Sequence, residues 1–406
     1  MGNPVIATRA PGVRVVASAS TWIEGEALRQ LDVTAALPGM AESVGMPDLH
    51  PGKGSPVGAA FLSRDLIRPA LVGSDIGCGM ALWQTGLSLR RVDPGRLADR
   101  LEGLDAPWDG DAAAWLAARG LPATAHDAAL GTPGSGNHFL EFQAVQVVRD
   151  PGAAARIGLD PGRALLLVHT GSRGLGEAIL RAHAARHGDA PLRADEPEGE
   201  AYMVAHDGAV AWARANRDLV AHRALGAAGT EGRLLLDVCH NAVVPVLRSG
   251  CACLLHRKGA APADRGPVVV PGSRGDLSFL VEPVAERDEA LWSLAHGAGR
   301  KIARHEARGK LRGRYRRDEL LRNPFGGAVV CGDERLLWEE APAAYKDAAG
   351  VVSDLEAAGL ARVVAVLRPL VTFKCSRDPD GPARRDKEAR LRDRREARSA
   401  KRGDRP

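Results

Sequence analysis

Aromatic side chains are scarce in this chain of 406 residues: Phe, Trp and Tyr together make up 4%. Val, Leu, Ile and Ala must therefore build the core. An apolar share of 45% still allows a large one and excludes wholesale disorder. Cysteine is also rare. Six residues are too few for a disulfide scaffold, so the expected setting is a reducing cytoplasm, with cysteines serving as thiols or metal ligands. No apolar run reaches the roughly 18 residues that span a bilayer. The opening MGNPVIATRAPGVRVVASAS has no clean apolar stretch of the kind that directs secretion. The patterns GxxxxGK[ST], CxxC and HExxH are missing, which argues against a P-loop, a standard structural zinc site and a zincin. There is no repeat of fixed period, and no Pro/Ser linker splits the chain.

Charge is present but uneven. Lys plus Arg number 55 against 50 Asp plus Glu, a net of +5. Residues 384–406 hold 11 basic and 5 acidic side chains, so that segment alone carries +6. A second cluster spans 300–317, with nine Lys/Arg against Glu306. Such clusters suit a polyanion. A solvated helix face and a frayed tail are the alternative reading.

Gly-rich islands adjoin apolar runs throughout. LIRPALVGSDIGCGMALW reads as a buried strand broken by a tight turn, and GRALLLVHTGSRGLGEAILRAHAARHG as strand, loop and helix. GPVVVPGSRGDLSFLVEP reads as two strands around a loop, and LLRNPFGGAVVCG as loop and strand. Helical spacing appears at 201–225 and at 233–249. Residues 88–130 read as a helical insertion without chemistry of its own. This mixture predicts an α+β (mixed α/β) fold. It comprises one large domain over 1–375 and a basic tail at 376–406, partly disordered or marginally helical.

Several histidines sit in short turns beside glycine or small polar residues: His50, His138, His169, His240, His256 and His296. Glycine there lets backbone approach a ligand and supplies N–H groups for phosphate. Asp75 and Cys78, three residues apart, pair a hard oxygen donor with a soft thiolate. With imidazoles they suit manganese, zinc, cobalt or nickel. Cys251-Ala252-Cys253 is spaced too closely for a zinc knuckle and reads as packing. Thr170-Gly171-Ser172-Arg173-Gly174 is only superficially like a dinucleotide loop.

Taken together, MPDLHPGKGSPVG, SDIGCGM, GTPGSGNHFLEF, LLVHTGSRG, ANR, DVCHN, HRKGA, PGSRG, HGAGR and the late YKD resemble the RtcB family of GTP-dependent RNA ligases. The blocks run in order from Met46 to Lys374. The resemblance implies a pair of packed β-sheets with helices around them and a deep metal pocket. It implies joining of an RNA 3′-phosphate or 2′,3′-cyclic phosphate to a 5′-hydroxyl, in RNA repair or tRNA splicing. GTP and two manganese ions would take part. His296 matches the guanylylated histidine, and Asp75, Cys78, His138, His169 and His240 match the metal ligands, with Cys78 bridging both ions. Asn137, Glu141, Asn241, Ser273, Ser278, Ala298, Gly299, Tyr345 and Lys374 match the GTP pocket. His50, Lys53, Arg173, Asn216, Arg217, Arg257, Lys258 and Arg300 are candidates for phosphate. A monomer is expected, with an accessory activating protein left open. Two departures stand out. Arg274 and Asp276 replace uncharged residues of a loop expected to face the nucleotide, and Ala303 stands where the family often has Ser. They suggest a divergent branch specialised in repair. An RNA-binding or sensing relative without ligation and a metal-dependent phosphohydrolase are the alternatives.

Overall fold

The computed structural model describes residues 5–284 and 288–374. Alternation of side chains along the strands dictates the layering. In the strand Val57–Ser63, Ala59 and Phe61 pack with the helix Gly25–Ala35, while Ala60 and Leu62 turn to the opposite face. There they meet Val270, Phe279 and Val281 of a second sheet. In the strand Gly79–Ser88, Ala81 and Trp83 point toward the helices Pro94–Leu101 and Pro197–Ala228. Met80 and Leu82 point the other way. The result is a stack of helix, sheet, sheet and helices, an α+β domain with two packed sheets at its centre, as expected.

The first sheet has six strands, in the order Ile6–Ala10, Val13–Val16, Met40–His50, Val57–Ser63, Cys251–Lys258 and Asn241–Arg248. The second runs Gly232–Cys239, Gly79–Ser88, Arg163–Thr170, Phe139–Val148, Ala361–Lys374, Ser278–Pro283 and Val268–Val270. Ala328–Cys331 pairs in parallel with the long strand Ala361–Lys374. Among the described residues, no helix is long and apolar enough to cross a membrane.

Three expectations are corrected. Residues 233–249 are not a helix but two strands, Gly232–Cys239 and Asn241–Arg248. Pro245 would break a helix interior, and it is tolerated here because Asn241–Arg248 lies at a sheet edge. The run from Leu66 to Trp83 is not one broken strand. It holds a two-residue strand, the one-turn helix Pro69–Val72, the Asp75–Cys78 loop and only then the long strand. Asn216 and Arg217 do not face phosphate. Both are completely buried within the helix Pro197–Ala228. The Asn216 amide accepts from the Gly131 N–H at 2.7 Å. The Arg217 guanidinium pairs with Asp237 at 2.8 Å and donates to the carbonyls of Gly77 (2.8 Å) and Thr170 (3.0 Å). The segment 88–130 is helical as expected, at Pro94–Leu101 and Ala112–Ala117, and none of it borders the main cavity. The proposed tail at 376–406 lies outside the described residues.

Arg217 thus ties one helix to a loop and two strands. Replacing it with Leu leaves the Asp237 carboxylate buried with its main counter-ion gone. The Arg217→Leu variant should lose about 3–5 kcal/mol of stability. Denaturant titration of the two proteins measures this directly. A loss below about 1 kcal/mol would show that the buried pair is not a principal tie.

Candidate active site and metal centre

Antiparallel pairing places the ends of alternating strands side by side. In the second sheet Cys239 lies opposite Gly79, Gly79 opposite Thr170, His169 opposite Phe139, and Phe373 opposite Leu140. His240, Cys78, His169, His138 and Lys374 therefore gather at one end of the sheet, although they span 296 positions of the chain. The Cys78 sulfur is 3.3 Å from His169 Nε2 and 3.4 Å from His138 Nε2. His138 Nε2 is 2.7 Å from Asp75 Oδ2. The rings of His169 and His240 lie 5.2 Å apart.

Two groups of donors could each hold a metal ion: Cys78, His169 and His240, and Asp75, Cys78 and His138. Cys78 belongs to both. All five expected ligands are brought together. Burial, then the nearby Asp75 carboxylate, push the Cys78 thiol well above its usual range. Burial, helped by neighbouring histidines, holds His169 and His240 well below theirs. Burial alone would raise Asp75, but the charge and hydrogen bond of His138 pull it down to about 2. Neutral imidazoles and a carboxylate are in ligand form, and a buried thiol beside a carboxylate needs a cation to ionise. Asp75 Oδ1 and His169 Nδ1 are buried without a hydrogen-bond partner. This donor set fits a divalent transition metal. Gly171 makes room for it, since a Cβ there would sit 2.1 Å from Asp75 Oδ1.

The opposite wall draws on the first sheet, through His50 and Lys258, and on a small two-stranded sheet of Ala260–Pro262 and Ser293–Ala295. His296 follows the strand Ser293–Ala295, and its Nδ1 lies 2.7 Å from Asp48 Oδ2. A carboxylate can only accept, so Nδ1 carries a proton, and Nε2 is the ring nitrogen not engaged by Asp48. The His296 ring is 4.8 Å from that of His240. Gly299 has φ +73°, and a Cβ there would meet the Asp48 carbonyl at 2.2 Å. Only glycine permits this turn beside the histidine. Asp48 was not singled out as a site residue. Its signal was its place in the MPDLHPGKG block.

Between the walls lies a cavity of about 900 Å³. Asn137, Glu141, Asn241, Ser273, Ala298, Gly299, Tyr345 and Lys374 line it, as do His50, Lys53, Lys258 and Arg300. The Ser273 hydroxyl is buried without a partner. Ser278 is not a lining residue, and its hydroxyl accepts from Gln143 at 3.0 Å. Asn241 spends its amide on the Gly259 N–H (2.6 Å) and the Asp75 carbonyl (3.2 Å). Arg257 turns away to Ser293 and the Trp292 carbonyl. Sequence reasoning missed Glu340. It pairs with Arg300 at 3.0 Å and Lys374 at 3.4 Å, and accepts from the Tyr345 hydroxyl. Burial opposes its charge, yet Lys374, Arg300 and Arg304 hold it at about 2.

Of the departures at 274 and 276, Arg274 lines the cavity as expected of that loop, and Asp276 does not. The Arg274 guanidinium is buried and donates to the carbonyls of Glu340 (3.0 Å), Leu320 and Leu337. Asp276 does not line the cavity, and its carboxylate accepts the Leu277 N–H.

A family model described as tRNA-splicing ligase RtcB matches residues 30–120 and 110–375. The chain is 46% identical over 367 residues to the RNA-splicing ligase RtcB2 of Escherichia coli, covering 90% of this chain and 96% of that one. It is 35% identical over 432 residues to the RNA-splicing ligase RtcB of Mycobacterium bovis, with 84% and 98% covered. Identity to the tRNA-splicing ligase RtcB of Archaeoglobus fulgidus is 30% over 461 residues, with 90% and 95% covered.

Two outcomes are expected of this site. Cys78→Ser should lower the bound metal after manganese loading, because a hydroxyl is a poor substitute for a shared thiolate. Cys239, Cys251, Cys253 and Cys331 should each tolerate Ser with full metal content. Elemental analysis of the five variants decides, and a fully loaded Cys78 variant would remove that residue from the centre. The second outcome concerns Glu141, which burial raises to about 7 from a usual 4.5 despite bonds from Thr372 and Gln143. The folded chain then holds an extra proton between those values, so stability falls as pH rises through that window. Glu141→Gln should remove this slope and gain roughly 3 kcal/mol relative to wild type between about pH 4 and pH 8. Parallel stability curves for the two proteins would mean that Glu141 titrates normally.

Proposed function

Because this chain belongs to the RtcB family of RNA ligases, we propose that it joins an RNA 3′-phosphate, or a 2′,3′-cyclic phosphate after hydrolysis, to a 5′-hydroxyl through GMP carried on His296. The observation that supports this most directly is the His296–Asp48 pair at 2.7 Å in the cavity wall, beside the donor cluster. A neutral Nε2 attacks the α-phosphorus of GTP, forming the N–P bond as the bond to pyrophosphate breaks. The imidazole gains positive charge, and the buried Asp48 carboxylate stabilises it at Nδ1. The GMP phosphorus then passes to an oxygen of the RNA 3′-phosphate, freeing His296. Attack by the 5′-hydroxyl oxygen on the RNA phosphorus expels GMP.

Asp75, Cys78, His138, His169 and His240 would hold two manganese ions. Bound there, the ions would neutralise phosphate charge and orient in-line attack. The unpartnered Ser273 hydroxyl and the amide of Asn137 offer hydrogen bonds to a nucleotide. Lys374, Tyr345 and Arg300 surround Glu340, which can accept from a guanine edge. Lys258, buried and pushed down to about 8 by desolvation, donates to Ser55 Oγ at 2.8 Å and stands ready for phosphate. A reducing cytoplasm suits a site that relies on a free Cys78.

His296→Ala should abolish covalent GMP attachment while leaving metal content intact. The measurement is incubation with GTP labelled at the α-phosphorus, followed by acid treatment to test for a labile adduct. Persistent adduct in the variant would exclude His296 as nucleophile. Phosphate release by wild type without adduct would favour the phosphohydrolase, and RNA binding alone the sensing relative.

A further inference from the structure

The geometry points to a docking track for single-stranded RNA along the helix Arg304–Leu311 and the turn after it, leading into the cavity; this rests on the ligase reading. The helix anchors itself by Ala307 and Leu311, which are buried. Its other faces are exposed and basic. Arg304, Arg308 and Arg312 recur every four residues and so form one row, with successive members about 6 Å apart along the axis. That spacing is comparable to the distance between neighbouring phosphates of a nucleic-acid strand. A flexible strand can therefore place successive phosphates against successive guanidiniums.

The row has a direction. Arg304 lines the cavity and donates to Asn137 Oδ1 at 3.2 Å, next to His138 of the donor cluster. Arg312 lies at the far end, followed by Arg314 and Arg317, both exposed. Among the described residues, no carboxylate pairs with Lys301, Arg312, Arg314 or Arg317. Arg308 pairs with Glu334 at 3.3 Å, but both side chains are about half exposed. Such a pair is worth little in water and exchanges readily for phosphate. The part of the lining from the helix Gly174–His187 and its following turn differs, because Glu177 and Asp189 accompany Arg181 there. A polyanion is thus favoured on one bank of the cavity mouth. Arg is suited to phosphate because its planar fork matches the anion bidentately. Contacts of this kind read the backbone and not the bases, as expected of an enzyme that captures an end.

The test uses the full-length chain and a single-stranded RNA carrying a 3′-phosphate. Arg308, Arg312 and Arg317 are changed together to Gln. A control variant carries Arg29→Gln, Arg156→Gln and Arg186→Gln, which removes the same charge at exposed positions away from the row. Thermal melting confirms that each variant is folded. Affinity is then measured between 50 and 200 mM salt. Three lost phosphate contacts should lower the slope of log affinity against log salt by about 2. Over that range the wild type should lose about 20-fold more affinity than the row variant. The control should follow the wild type. A row variant with the wild-type slope, or a control that loses as much, overturns the track. Absence of salt-dependent RNA binding by the wild type overturns the ligase reading and the track with it.

Discussion

One buried guanidinium supports the backbone of three candidate metal ligands. Arg217 sits at the middle of the longest helix and reaches through the second sheet's edge to Asp237, Gly77 and Thr170. Gly77 precedes Cys78, Thr170 follows His169, and Asp237 lies on the strand that ends before His240. One side chain therefore fixes the backbone that presents three of the five candidate ligands. An Arg in an apolar interior is costly unless fully satisfied. Here the ion pair and two carbonyls take up Nε and Nη1, while Nη2 is buried without a hydrogen-bond partner. Such support of ligand-bearing backbone is how metal sites keep their geometry.

Charge inside the cavity is divided into two regions. One end gathers Asp75, a buried thiol and neutral imidazoles, and calls for cations. Elsewhere in the lining Lys374 and Arg300 pair with Glu340, and Lys258 donates to Ser55, with more positive than negative groups. His296 stands between, held by Asp48. The cavity thus offers metal donors in one part and fixed cations in others. The low dielectric of such a cavity strengthens each of these interactions.

The chain's departures from its family act on structure more than on chemistry. Arg274 spends its donors on three carbonyls and so ties the loop bearing Ser273 to the segment bearing Glu340. Burial pushes its pKa down to about 10, which still leaves it charged at neutral pH. Ala303 is the N-cap of the basic helix and offers no side-chain bond to its first turn. A Ser at that position would supply one. The helix instead depends on Ala307 and Leu311 for its place.

Residue identity and order determined a good deal by themselves. The Gly-flanked histidines, the Asp75–Cys78 pair and the order of the blocks single out the candidate ligands and His296 from residue identity alone. Local pattern also sufficed for Arg163–Thr170 with its following helix, for the long helix, and for the strands around the 271–277 loop. What failed were features set by distant partners. Residues 233–249 carry a helix-compatible pattern, but pairing of Gly232–Cys239 with Gly79–Ser88 and of Asn241–Arg248 with Cys251–Lys258 outweighs it. Asn216, Arg217 and Arg257 looked like phosphate contacts because a sequence does not reveal which way a polar side chain points. Asp48 and Glu340 stayed hidden because a carboxylate becomes part of a site only through the histidine, lysine and arginine that the fold brings to it. The types of donor were thus written locally, while their pairing was decided by antiparallel register and burial, which join residues hundreds of positions apart.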